Sequence, residues 1–168
     1  MLRTDTELYV TAISELVAGP AYPVSFPLEV DALTDALTAR EAESGGALDL
    51  SEARVRADRL RTIWTQEFGG SPVPEDPTRA LDSAILRALR PLHRIMFVPG
   101  SDYHPDPGIY SRPLPGLEPA SILAGEAPSS DRYGFAMAQL VRERNRILEA
   151  IDEATRAATD LIERRSGS

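Results

Sequence analysis

The run from Ser129 to Arg165 restricts the fold more than any other part of the chain. "SSDRYGFAMAQLVRERNRILEAIDEATRAATDLIERR" contains no proline and one glycine, Gly134, so nothing in it forces a break. Leu140, Val141, Leu148, Ile151, Ala158 and Leu161 fall at helical spacing, interrupted only by "RERNR" at 142–146. The spacing predicts one helix of more than thirty residues starting at Ser129 or Ser130, roughly 50 Å long. Such a helix exceeds the usual globular range, so it either breaks or packs part of its length on something beyond its own domain. The second outcome is expected, with Leu140, Leu148, Ile151 and Leu161 as the dimer or packing face.

The rest of the chain reads as shorter helices. In "DTELYVTAISELVAG", Tyr9, Ile13, Leu16 and Val17 predict a helix near 6–18, with Asp5 or Thr6 as cap and Gly19-Pro20 as stop. "PAYPVSFP" has three prolines in eight residues and must be extended. Val30, Leu33 and Leu37 stripe a second helix that ends at Gly45-Gly46. "DLSE" sets Asp49 three residues before Glu52, the spacing of a reciprocal cap, and Ala53, Ala57, Leu60, Trp64 and Phe68 line the third helix. For the fourth, Asp76 is the expected cap, Pro77 takes the first position, and Leu81, Ile85, Ala88 and Leu92 face inward. Pro91 is expected to kink or end it. No alternating apolar run supports a substantial sheet, and Val24–Phe26 and Ile95–Val98 are expected only as short extended pieces. The expected class is all-α: one domain over 1–168, a four- to five-helix bundle with an irregular Pro/Gly-rich loop over about 95–119.

Composition narrows the partners. A formal charge of -8 repels phosphate, which argues against nucleic acid and anionic membrane. All 18 Lys/Arg positions are arginine, and with abundant alanine this suggests a GC-rich bacterial genome. The absence of cysteine excludes disulfides and Cys-ligated metal and suits a reducing cytosol. "MLRTDTELYV" has no apolar run fit for a signal peptide, so a cytoplasmic location is the expectation.

Candidate chemistry concentrates in "PLHRIMFVPGSDYHPDPGIYSRPLPGLEP", which holds both histidines. His93, at a helix end, reads as a structural or capping residue that the helix C-terminal dipole would favour when protonated. Asp102, His104 and Asp106 alternate, so an imidazole and two carboxylates could share one side, the best metal candidate in the chain. A solvated turn competes with that reading, no paired His motif supports it, and no metal is expected. There is no "GxSxG", and the glycine pairs at 45–46 and 69–70 follow helices, so they stop helices instead of cradling phosphate. "RERNR" reads as a partner-helix or salt-bridged surface, and the acidic faces of helices two and three as solvent faces.

The order of segments carries a resemblance. "LYVTAISELVAGP", "YPVSFPLEVDALTDAL", the helix after "LDLSEA", "RALDSAILRALRPLHR", the loop "IMFVPG…LPGL" and a last long helix together resemble the transferrin-receptor-like dimerisation domain. That module follows the catalytic domain of M28-type zinc peptidases of the glutamate carboxypeptidase group. In the family, a helix running out of the catalytic domain leads to an "LPFD"-like segment, which "VSFPLEVDAL" approximates. "HRIMFVP" and "LPGL" take the places of "H-x-I-Y-A-P" and "F-P-G-I". The resemblance implies a homodimerising module without catalysis of its own and without a cofactor, the zinc belonging to a separate α/β domain. It implies that the irregular loop helps shape a partner domain's substrate pocket through Tyr103, His104, Tyr110 and Arg112, whose phenols and guanidinium suit carboxylates. The competing readings are that the tyrosines pack and Arg112 pairs locally, and that a free-standing descendant has built its own small-molecule or metal site at 102–112.

Overall fold

The computed structural model describes residues 2–18, 25–68, 79–99 and 112–166. They form an all-α fold: α1 (Leu2–Ala18), α2 (Phe26–Glu43), α3 (Ser51–Phe68), α4 (Arg79–Phe97), a 3-10 turn (Pro115–Leu117), α5 (Ala120–Gly125) and α6 (Asp131–Ser166). No strand occurs among the described residues. The C-terminal helix is continuous, as its sequence predicts, and Ser130 caps it by accepting the Tyr133 N–H at 3.1 Å.

α6 is the spine of the bundle, packed chiefly on α4 and α3, while α2 lies against α3. Its buried face runs from Ala136 and Leu140 through Ile147 and Ile151 to Leu161. Ala150, Ala154 and Ala158, spaced four apart, are buried on α6, and Ala53 and Ala57 are buried on α3, against which α6 packs; such small side chains let two helices approach closely. The predicted packing face is therefore used inside one chain: Leu140, Ile151 and Leu161 are buried and Leu148 half-buried in its own core. At the other end of the core Phe26 stacks on Trp64, ring centroids 4.1 Å apart.

The turn between α2 and α3 combines expected and unexpected devices. Gly45 and Gly46 both have positive φ, 65° and 82°, which ends α2 where the glycine pair predicts. Asp49 Oδ1 accepts the Ser51 N–H at 2.9 Å, but Glu52 does not complete the reciprocal cap and pairs instead with Arg56. The Leu50 N–H is taken by Glu41 Oε1 of α2 at 3.0 Å, so a neighbouring helix supplies the second acceptor.

Several expectations are corrected. α1 starts at Leu2, which places Asp5 and Thr6 inside the helix. Phe26 opens α2 directly after an extended Ser25, and Ile95–Phe97 are helical and close α4. Pro91 does not end α4, which runs on to Phe97. Val24, Asp76 and Pro77 lie outside the described residues. The irregular stretch begins at Val98, and its end is ordered into the 3-10 turn and α5, which the sequence pattern did not suggest.

Candidate functional site

Both stems of the 98–113 excursion are tied to the bundle. The Leu114 N–H donates to the Met96 carbonyl at 3.1 Å, so the returning chain meets the end of α4. Arg146 Nη2 of α6 donates to the Val98 carbonyl at 2.9 Å. Arg40 of α2 reaches the Pro113 carbonyl with Nε at 3.1 Å and Nη2 at 2.8 Å, and its Nη1 donates to Glu43 at 2.9 Å. Arg40 is only 2% exposed, and a charge so buried persists because a carboxylate and a carbonyl use its donors.

Arg112 completes this knot by donating to the other Glu43 oxygen. Burial, the largest single influence on Glu43, pushes its pKa up, but the hydrogen bonds from Arg112 and Arg40 outweigh it and hold the carboxyl below its ordinary value. Glu41 is likewise held low, first by the Leu50 N–H and then by Arg54. Of the residues expected to shape a substrate pocket, Arg112 is exposed and engaged with α2, while Tyr103, His104 and Tyr110 lie outside the described residues, as do Asp102 and Asp106. Among the described residues no three His, Asp or Glu side chains converge as a metal site would require. His93 is exposed one turn before the end of α4, with Nε2 3.3 Å from Glu29 of α2 and its ring edge-on to Phe97. It ties two helices together.

The corner that follows has the most unusual backbone. Leu114 is left-handed, φ 56° and ψ 58°, while only 1% exposed. A branched residue there costs about 1–2 kcal/mol, strain maintained because Leu114 sits in the core and its carbonyl accepts the Leu117 N–H at 2.9 Å. Gly116 faces Glu143 of α6, and a Cβ at this position would collide with that carboxylate. Between the corner and α6 opens a cleft of about 490 Å³ lined by Pro99, Pro115, Gly116, Glu118, Pro119, Ser121, Ile122, Gln139 and Glu143. Glu143 lies 3.4 Å from Arg146 Nε, whereas Glu118 has no ion-pair partner among the described residues.

Sequence reasoning missed Arg40, Glu41 and Glu43 by assigning the charges of α2 to solvent. The signal was present: the stripe Val30, Leu33, Leu37 continues at helical spacing to Arg40 and Ser44, both buried. "RERNR" resolves into the salt-bridged alternative, with Arg146 binding Val98 and neighbouring Glu143.

α1 carries no buried side chain among those described. Every described side chain from Thr6 to Ser14 is exposed, including Leu8, Tyr9, Val10 and Ile13 at 57–68%. No described helix is long and apolar enough to cross a membrane. No family model, curated protein or solved structure matches the chain.

Proposed function

We propose that this chain is a helical interaction module without chemistry of its own, of the kind that accompanies M28-type zinc peptidase domains, and that α1 is its docking element. One observation carries the reading. α2 to α6 all contribute buried side chains to one core, whereas Tyr9, Val10 and Ile13 share an arc of about 100° on α1 with nothing covering them. An apolar stripe of that width marks a helix meant to lie on a surface. Covering such side chains stabilises an assembly by about 1.5–3 kcal/mol each.

The segment order supports the assignment of partner. In the family it resembles, the helix at this place runs out of the α/β catalytic domain, where the zinc ligands also lie. Without that domain, the stripe pairs with a second copy of the chain, so the isolated protein is a homodimer joined through α1 and not through the α6 residues already committed to the core.

Light scattering over a dilution series, run on the wild type and on Tyr9→Asp/Ile13→Asp, tests this. A dimer mass that falls on dilution in the wild type, and a monomer of unchanged Tm in the double variant, are expected. A wild type that is monomeric throughout, or a double variant whose Tm drops by several degrees, overturns it, because α1 would then be packing on its own core.

A further inference from the structure

We propose that the cleft between the Pro115–Ile122 corner and α6 is a docking site for an arginine-bearing segment of a partner polypeptide. The proposal stands independently of α1. The cleft's apolar surface comes from Pro99, Pro115, Pro119 and Ile122, a lining suited to alkyl stems. Its polar groups are predominantly acceptors: the carboxylates of Glu118 and Glu143, with Ser121 and the Gln139 amide beside them.

Glu118 has no ion-pair partner among the described residues, and Glu143, paired with Arg146 at 3.4 Å, keeps acceptor sites for a second cation. Neither accepts a hydrogen bond from the described residues; Arg146 approaches Glu143 at 3.4 Å, but its hydrogen bond goes to the Val98 carbonyl. The chain's net charge of -8 reinforces attraction of a basic segment. A guanidinium matches a carboxylate better than an ammonium does, since its planar fork presents several donors at once.

Two further features fit a built surface. The strained Leu114 turns the chain so that Gly116, bare of a side chain, leaves room for the Glu143 carboxylate at the edge of the cleft. One turn before Gln139 on the same face of α6, Phe135 is 78% exposed, an aromatic placed to cover an apolar residue flanking the arginine. At about 490 Å³ the cleft is larger than one side chain requires, which favours a short peptide over a lone cation.

The test is a titration of the isotope-labelled protein with acetyl-Leu-Arg-Leu-amide, its citrulline counterpart and agmatine, followed at the Gly116, Glu118, Ile122 and Gln139 amides. The expected result is saturable binding of the arginine peptide with Kd near the millimolar range and at least about tenfold weaker binding of the citrulline peptide. Glu118→Gln and Glu143→Gln should each weaken the arginine peptide while helix content stays constant. Equal shifts with arginine and citrulline, no saturable shift at these amides, or indifference to both substitutions overturns the site. Agmatine binding as tightly as the peptide overturns the polypeptide source.

Discussion

Arg40 shows how one side chain can join distant parts of a chain. It sits on the core face of α2, yet its guanidinium is spent on a carbonyl 73 positions away and on Glu43. Removing it by Arg40→Met deprives the Pro113 carbonyl of its two donors and strips Glu43 of one of its two cations. The expected loss is about 1–3 kcal/mol, the scale of leaving hydrogen-bonding groups without their partner, measured by chemical denaturation. A loss below about 1 kcal/mol would show that water replaces the guanidinium without penalty. Arg40 was legible only as a position: the 3–4 periodicity of Val30, Leu33 and Leu37 reaches it, but periodicity does not say what a charge finds when it arrives. Its acceptor is a backbone carbonyl beyond a proline-rich excursion, and no local pattern encodes such a contact.

At the scale of elements, helices with strong stripes or caps were readable and those defined by tertiary contact were not. α6 declares itself through a long unbroken period, and α2 through its glycine stop. α5 is six residues long and makes sense only as a lid on α6, with Ala120 and Leu123 buried. Pro91 misleads because proline is judged by local geometry, while the α4–α6 contact, the most extensive in the bundle, sustains the helix around it. The α3–α6 contact should be intolerant of bulk: Ala154→Leu inserts three carbons into a fully buried ridge and is expected to destabilise by about 1–3 kcal/mol. The same replacement at exposed Ala138 should change stability by less than about 0.5 kcal/mol. Equal effects at the two positions would mean that α6 does not lie on α3 as described.

For the whole molecule, the acidic chain keeps its architecture partly through carboxylates that must stay ionised. Glu41 joins the α2–α3 turn, and Glu43 joins α2 to the returning excursion. Both have folded pKa values below the ordinary 4.5, so the unfolded chain takes up protons first as pH falls. Their contribution is therefore complete well above pH 4.5 and is lost as pH drops below it through the depressed folded values. The difference in Tm between wild type and Glu41→Gln/Glu43→Gln, large at neutral pH, should shrink as pH falls below 4.5 through the depressed folded values. A gap that stays constant with pH would mean the substitutions act through packing alone. The all-α class was legible because nothing alternates in the sequence, but the destination of each stripe was not. α6 was expected to serve another molecule and serves its own core, whereas Tyr9, Val10 and Ile13 of α1, whose stripe looks equally ordinary, are exposed.

The bond from Leu114 to Met96 makes a gatepost of the end of α4: with Arg146 at Val98 and Arg40 at Pro113, it fixes where the chain leaves the bundle and where it returns. The two ends are thereby held one hydrogen bond apart, and the entropy of joining them is offset by contacts that belong to the bundle and its stems.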